Sequence, residues 1–304
     1  MPSFKSRMFN VMLRVLNVRK LFVDLHAVRD DSAEFQTVLD KMRATMAPYP
    51  DDKLKATFTH QRINIDGSAL DALETGTQDK VILFLHGGAY VLKASKQHWE
   101  LMVEIGQRSE YNIACFDYPI APEHDCATAI GRTLKAYQQL LTRYDASKIV
   151  LMGDSAGAGL AAALSIKLKA EGIAQPSALI LYYPWLDVSM SHPEARAIGP
   201  KDFVLTVDGL IDCGKKYAGD LSTQDPLVSP WFGNLEGLPP THIFTGTHDV
   251  LHPEGRDFHH KLAAAGCETS LHTYRNVPHA WLFFPTPEKE QAVTTTVDLL
   301  RALN

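Results

Sequence analysis

The pentapeptide GDSAG at positions 153–157 centres on Ser155, whose hydroxyl is of the kind that attacks carbonyl carbons in acyl transfer. The apolar segment KIVLM precedes this motif, and the small-residue segment AGAGLAAALSIKLKA follows the serine. These patterns predict a strand that turns tightly into a helix and lifts the hydroxyl above the strand end, with glycines where a Cβ atom would collide with neighbouring backbone. The simpler alternative is an N-cap serine that only opens a helix.

Two loops downstream of Ser155 could supply the base and the acid that a weakly nucleophilic serine needs at neutral pH. In sheets that carry this motif, a carboxylic acid follows the serine along the chain and a histidine follows the acid. Asp249 closely follows the apolar segment HIFTG, and His279 follows the segment TSLHTY. Both loops should open at the carboxyl edge of the sheet, beside Ser155. Position therefore favours Asp249 as the acid and His279 as the base.

Other residues compete for these two roles. Asp187 also follows a core strand and ranks second as the acid, and Glu254 could substitute if Asp249 faced away. Asp249 itself could be a plain N-cap of the next helix. Five rival histidines lie before or within that helix or inside a strand: His248, His252, His259, His260 and His272.

The segment HGGAY at 86–90 ends another apolar strand, VILFL. Glycines at a strand end let backbone N–H groups approach a ligand without obstruction by a Cβ atom. We expect the N–H groups of Gly87 and Gly88, together with that of Ala156, to bind the negative charge that develops on a carbonyl oxygen during attack. Taken alone, the two glycines would also suit a tight turn.

Strands and helices alternate along the chain from about residue 57. Apolar or alternating segments predict strands at 58–65, 81–86, 112–118, 148–153, 178–184, 242–246 and 269–274. Helical patterns cover the N-terminal segment, 32–46, 127–144, 156–170 and 253–265. Residues 187–225 are too long for an ordinary crossover and hold a predicted helix near 206–217, so this inserted segment should pack over the sheet. The alternation predicts an α/β protein with a mostly parallel sheet covered by helices on both faces.

Composition narrows the class of protein. The chain has 304 residues, of which 45% are hydrophobic and 21% charged, which is typical of a globular domain. The net charge of −5 without a basic block argues against nucleic-acid binding, and the 13 histidines show no HExxH metal-site spacing. No run of 18 apolar residues could span a membrane, and basic residues interrupt the N-terminal segment, which we expect to be a helix packed on the protein or lying on a membrane surface. The four cysteines favour reduced thiols and a cytoplasmic location.

The motifs together resemble the hormone-sensitive-lipase-like branch of the α/β-hydrolases. The resemblance rests on HGGAY, DYPIAPEH (117–124), GDSAGAGLA (153–161), DPLVSP (225–230), LPPTHIFTGTHDVL (238–251) and VPHAW (277–281). It implies the α/β-hydrolase fold and a carboxylic ester hydrolase whose triad is Ser155, Asp249 and His279, with Gly87, Gly88 and Ala156 at the oxyanion hole. It also implies one domain over 1–304, in which segments of about 1–50 and 187–225 form a helical cap. Ala89 stands where the family usually has a third glycine; alanine still donates its N–H but tolerates a positive φ poorly, so we expect the loop to sit slightly differently.

We therefore expect a serine carboxylesterase that hydrolyses short-chain esters through an acyl-enzyme and needs no metal or cofactor. The expected partner is a small-molecule ester, and the resemblance also allows a homodimer through the edge strand TSLHTY. Two alternatives remain: an amidase or peptidase with the same triad, and a non-catalytic small-ligand receptor on the same scaffold. Receptors that resemble this branch lack the triad histidine, whereas this chain retains His279.

Overall fold

The computed structural model describes Ser3, Met8 and residues 18–44, 50–76 and 79–303. Most of the predicted N-terminal helix, including Phe9 and Met12, lies outside these residues. Within them, the strands are β1 His60–Ile65, β2 Ser68–Leu73, β3 Val81–Leu85, β4 Asn112–Phe116, β5 Ile149–Asp154, β6 Ala178–Tyr182, β7 Thr241–Gly246 and β8 Thr269–Tyr274. The α-helices are α1 Lys20–Ala27, α2 Ser32–Arg43, α3 Asp52–Thr57, α4 Lys96–Ser109, α5 Cys126–Leu141, α6 Ala156–Ala170, α7 Ala195–Ile198, α8 Val207–Ala218, α9 His252–Ala264 and α10 Pro287–Ala302.

The eight strands described form one sheet in the order β1-β2-β4-β3-β5-β6-β7-β8. The pairs β1–β2 and β2–β4 are antiparallel, and every other neighbouring pair is parallel. All residues of β3, β5, β6 and β7 are buried, because helices cover both faces of the central strands. Two separate hydrophobic clusters, one on each face, make up the core. The predicted α/β class with a mostly parallel sheet is confirmed.

The parallel strands bring their carboxyl ends to a single edge. In register, Leu85 of β3 pairs with Gly153 of β5, and Asp154 of β5 pairs with Tyr182 of β6. The loops that follow β3, β5, β6, β7 and β8 therefore open side by side, and all the predicted site residues lie on them or on the first residue of α6.

The N-terminal helix α1 and the helix α8 of the inserted segment pack against each other. A Cβ atom at Gly209 of α8 would lie 2.6 Å from the carbonyl oxygen of Phe22 in α1, so the glycine permits a close approach. On another side of α8, the Tyr217 ring stacks on the Tyr90 ring with their centroids 3.6 Å apart. The helix predicted near 206–217 is thus present at Val207–Ala218 and contacts the loop after β3. The division of the chain into one domain with two cap segments stays a prediction.

The four cysteines are free, and Cys115, Cys126 and Cys213 are buried. Among the described residues, no helix combines the length and the apolar character needed to cross a membrane.

Candidate active site

Ser155 lies on the sharp turn between β5 and α6, in a backbone conformation that residues with a side chain rarely adopt (φ 53°, ψ −120°). The flanking glycines make this turn sterically feasible. A Cβ atom at Gly153 would lie 2.5 Å from the backbone of Gly157, and one at Gly157 would lie 2.0 Å from the carbonyl oxygen of Leu85 in β3. The Ser155 side chain caps no N–H of α6, which argues against the simple N-cap alternative and leaves the hydroxyl available for chemistry.

The structure brings Ser155, His279 and Asp249 together in one chain of hydrogen bonds. The Oγ of Ser155 lies 2.9 Å from Nε2 of His279, and the Nδ1 of His279 lies 2.7 Å from Oδ2 of Asp249. Since a carboxylate can only accept, Nδ1 carries the proton and Nε2 is the acceptor for the serine hydroxyl. The other oxygen of Asp249 accepts the N–H of Leu251 at 2.8 Å. All three side chains are buried, with exposed fractions of 5% or less.

Opposing effects act on the imidazole of His279. Burial lowers its pKa, whereas the negative charge and the hydrogen bond of Asp249 raise it, as do the charges of Asp202 and Asp154. The net result is a pKa above the ordinary value of 6.5. The carboxylates around the ring therefore favour its protonated, imidazolium form.

The two rival acids have other bonding partners. The oxygens of Asp187 accept the N–H and hydroxyl groups of Ser189 and Ser191 within a turn. Glu254 accepts the N–H of Leu186 at 2.7 Å, and burial raises its pKa well above the usual range. Neither carboxylate is hydrogen-bonded to His279.

The rival histidines contact residues outside the hydrogen-bonded chain at Ser155. His252 and His259 contact the hydroxyls of Thr245 and Thr269, respectively. The other three have their own surroundings: the backbone N–H of His248 donates to Val277, the His260 ring lies beside that of His259, and His272 contacts Ser270 and stacks on Phe244.

The oxyanion loop, residues 86–90, differs in one respect from the sequence prediction. The N–H of Gly87 donates to Oδ1 of Asp154 at 2.7 Å, and a backbone amide has only one proton. The expected donation from Gly87 to an oxyanion is therefore wrong. The glycine instead allows a close approach, since a Cβ atom at this position would lie 2.3 Å from Oδ2 of Asp154. Within residues 79–303, no acceptor binds the N–H groups of Gly88, Ala89 and Ala156.

Ala89 adopts a left-handed conformation with φ 54°, which suits the glycine usual at this place in the family, and Gly88 before it has φ 118°. Asp154, which is 2% exposed, fixes the loop by accepting the N–H of Gly87. Nε2 of His98 in α4 lies 3.3 Å from the same Asp154 oxygen that binds Gly87. Nδ1 of His98 accepts the N–H of Ser95, so the proton of a neutral ring lies on Nε2, facing Asp154.

Two residues near the triad had no signal in the sequence pattern. The rings of Tyr183 and His279 form an edge-to-face contact, with centroids 4.7 Å apart. Asp202 of the inserted segment is fully buried, and its Oδ2 accepts the N–H of Val250, next to Asp249. An aspartate in an irregular segment resembles any turn residue, so only the fold reveals its position.

A cavity of about 300 Å³ is lined in part by His86, the first residue of the oxyanion loop. Its lining includes His86, His98, Lys93 and Asp117, but no member of the hydrogen-bonded chain at Ser155. This cavity is therefore separate from the candidate catalytic residues.

The chain is similar to a known protein family and to several esterases. Residues 82–283 match a protein family described as having the alpha/beta hydrolase fold. The chain is 33% identical over 244 residues to an esterase of Acinetobacter venetianus, which covers 79% of this chain and 80% of that protein. It is 28% identical over 225 residues to an acetyl-hydrolase of Streptomyces hygroscopicus, which covers 73% of this chain and 75% of that protein.

Two solved structures have the same fold as this chain. The crystal structure of an esterase from the bacterial hormone-sensitive lipase family superposes with a TM-score of 0.79 at 26% identity, covering 94% of this chain and 98% of that one. The structure of EstE5 soaked with p-nitrophenyl butyrate superposes with a TM-score of 0.80 at 28% identity, covering 87% of this chain and 91% of that one.

Proposed function

Since the chain belongs to the hormone-sensitive-lipase-like family of carboxylic ester hydrolases with the α/β-hydrolase fold, we propose that it is a serine carboxylesterase for short-chain esters. The single observation that supports this most strongly is the chain of hydrogen bonds from Ser155 through His279 to Asp249. It joins a nucleophile, a base and an orienting acid beside unbonded backbone N–H groups.

In the proposed mechanism, Ser155 Oγ attacks the ester carbonyl while Nε2 of His279 takes its proton. Asp249 holds the proton on Nδ1 and stabilises the imidazolium. The N–H groups of Gly88 and Ala156, joined by that of Ala89, bind the oxyanion; removing one such donor typically costs about 2.7–4 kcal/mol. His279 then protonates the leaving alcohol, and a water activated by the same imidazole hydrolyses the acyl-enzyme. The three residues and the backbone amides supply all of this chemistry, so we propose that no metal or cofactor takes part.

The preference for short acyl chains rests on the inserted segment and on the relatives. Leu205 and Leu210 of this segment are buried, and its Tyr217 stacks on Tyr90 of the oxyanion loop, which supports a compact, apolar cap over the site. One relative is named an acetyl-hydrolase, and EstE5 was soaked with p-nitrophenyl butyrate. We propose that p-nitrophenyl acetate and butyrate are cleaved faster than the dodecanoate.

The test is an ester panel measured on the wild type and on Ser155→Ala. We expect the substitution to lower kcat by about 10⁴- to 10⁶-fold, because the nucleophile is lost. Ser165→Ala is the matched control, because Ser165 is also buried in α6 but bonds Gln175. A fluorophosphonate should label the wild type and Ser165→Ala but not Ser155→Ala. Full activity in Ser155→Ala would refute the mechanism, and faster cleavage of the dodecanoate would refute only the chain-length preference.

The pH dependence provides a second test of His279. The imidazole must be neutral to act as a base, so kcat/KM should fall as the pH decreases through its pKa. Because the pKa of His279 is raised, we expect the half-maximal point on the acid side to lie above pH 6.5. A rate that is constant from pH 5 to 8 would exclude His279 from this role.

The same measurements address the alternatives. An amidase or peptidase would cleave p-nitroanilides and peptides faster than matched esters, whereas we expect the esters to react faster. A non-catalytic receptor would not react with the fluorophosphonate.

The free cysteines support a reducing, cytoplasmic location for the protein, because thiols persist in that compartment.

A further inference from the structure

Asp202 is a second carboxylate buried beside the triad, and it belongs to the inserted segment. It has no solvent-accessible surface. Its Oδ1 accepts the N–H groups of Val204 at 2.8 Å and Leu205 at 3.0 Å, which form a tight turn around the carboxylate. Its Oδ2 accepts the N–H of Val250 at 3.1 Å. Val250 directly follows Asp249, so Asp202 binds the peptide that carries the triad acid.

The same residue is also tied to the N-terminal segment. Nη1 of Arg19 donates to the backbone carbonyls of Gly199 at 3.0 Å and Asp202 at 3.3 Å. A continuous series of contacts therefore runs from the N-terminal segment through the inserted segment to Val250, Asp249 and His279. Residues outside the loop of Asp249 therefore contact the peptide that carries this acid.

Asp202 and His279 also interact through their charges. Burial, followed by the negative charge of Asp249, raises the pKa of Asp202 to about 6, and the charge of His279 acts in the opposite direction. In return, the Asp202 carboxylate is one of the charges that raise the pKa of His279. The ionised carboxylate thus favours the protonated imidazole.

Several elements direct titratable groups toward this pair. They are Asp249 from the loop after β7, Asp154 from the end of β5, Tyr183 after β6, and His252 of α9, which faces Asp249. Asp249 orients His279, and Asp154 holds Gly87. The contacts of Asp202 serve neither to orient His279 directly nor to hold Gly87, so this carboxylate needs a separate explanation.

We propose that Asp202 is a positioning residue of the triad that orients Asp249 through the Val250 peptide and stabilises the imidazolium of His279 during acyl transfer. This inference rests on the proposed function. The positive charge on His279 arises only after it takes the serine proton, so the Asp202 carboxylate favours the transition state over the neutral ground state. The inserted segment would then set the pH range of the reaction as well as the shape of the site.

The test is the pH profile of kcat/KM for Asp202→Asn, which removes the charge and keeps the size. We expect the acid limb to move to lower pH by about half a unit or more, because a nearby carboxylate no longer raises the His279 pKa. We also expect kcat on the plateau to fall about 3- to 10-fold, since a shift of one pKa unit corresponds to a tenfold change.

The matched control is Asp212→Asn. Asp212 is a 5% exposed carboxylate in the same inserted segment, and it bonds Nδ1 of His26 at 2.6 Å rather than the loop of Asp249. We expect its acid limb to coincide with that of the wild type. An equal shift in both variants would mean that net charge acts from a distance, and it would overturn the proposal.

The outcomes separate this inference from the proposed function. A purely structural role would lower kcat at every pH and leave the acid limb of Asp202→Asn in place, which would overturn the inference while Ser155→Ala stayed inactive. An active Ser155→Ala would instead refute the proposed function. If circular dichroism shows Asp202→Asn unfolded, NMR titration of His279 in the wild type decides: two coupled inflections are expected, and a single inflection would overturn the proposal.

Discussion

The two halves of the site are held in place by different forces. The nucleophile half, which comprises Ser155 and the oxyanion loop, depends on close backbone approaches at Gly153 and Gly157 that leave no room for a methyl group. The acid–base half, which comprises the loops of Asp249 and His279, depends on carboxylates that accept N–H groups. The first half should therefore be sensitive to side-chain volume, and the second to charge and pH.

Apart from the loss of the Ser155 hydroxyl itself, the largest effect should come from the charge-dependent half. In Asp249→Asn, an amide NH₂ facing His279 would favour the wrong imidazole tautomer, and we expect kcat to fall about 10⁴-fold, or about 5.5 kcal/mol. Glu254→Gln is the control, because burial raises the pKa of Glu254 and glutamine resembles its neutral form. We expect the control to lose less than tenfold in the same ester assay. Equal losses in the two variants would contradict the assignment of the acid.

The volume-dependent half can be tested with Gly157→Ala. The new Cβ atom would lie 2.0 Å from the carbonyl oxygen of Leu85, so β3 and α6 must separate, and we expect the free energy of unfolding to fall by about 3 kcal/mol or more, with loss of activity. Gly131→Ala in α5 is the control, since its Cβ atom would meet nothing within 4 Å. Helix propensity predicts a gain of up to about 1 kcal/mol there. Urea denaturation measures both changes, and a tolerated Gly157→Ala would mean that the close approach is not a constraint.

The smallest effect is expected at Ala89, which has a side chain where φ is 54°. Ala89→Gly removes the strain of the left-handed conformation but increases the freedom of the unfolded chain, so we expect a net stabilisation of about 0.5 kcal/mol. By contrast, Ala263→Gly on the exposed face of α9 should cost about 1 kcal/mol. Thermal unfolding compares the two. A loss of stability in Ala89→Gly equal to that in Ala263→Gly would show that the loop carries no such strain.

Much of the fold could be predicted because the central strands are continuous apolar segments. The predicted strand at 148–153 corresponds to β5 at Ile149–Asp154, and the predicted helix at 156–170 is α6. The sequence pattern does not predict β2 at Ser68–Leu73, whose Ser68 and Asp71 interrupt the apolar spacing but are buried in the fold. Nor does it predict α4 at Lys96–Ser109, because its polar face obscures the buried one.

The candidate site shows the same division. Chain order and strand ends were sufficient to select Ser155, Asp249 and His279, since parallel strands bring their carboxyl ends to one edge. They could not show that the Gly87 N–H is already donated to Asp154, because that bond joins residues 67 positions apart. Asp202 was missed for the same reason, as its contact with Val250 spans 48 positions.

The sequence by itself determined the central alternating elements and the tight turn at Ser155, because each depends on residues that are neighbours along the chain. The order of the candidate reacting groups follows from the order of those elements. The tertiary structure alone decided which amides remain free for an oxyanion and which carboxylates surround His279. A backbone N–H donates to whichever acceptor lies within about 3 Å, and a buried charge acts on whatever lies beside it. Both depend on distance in space, which is defined only when the segments have packed together.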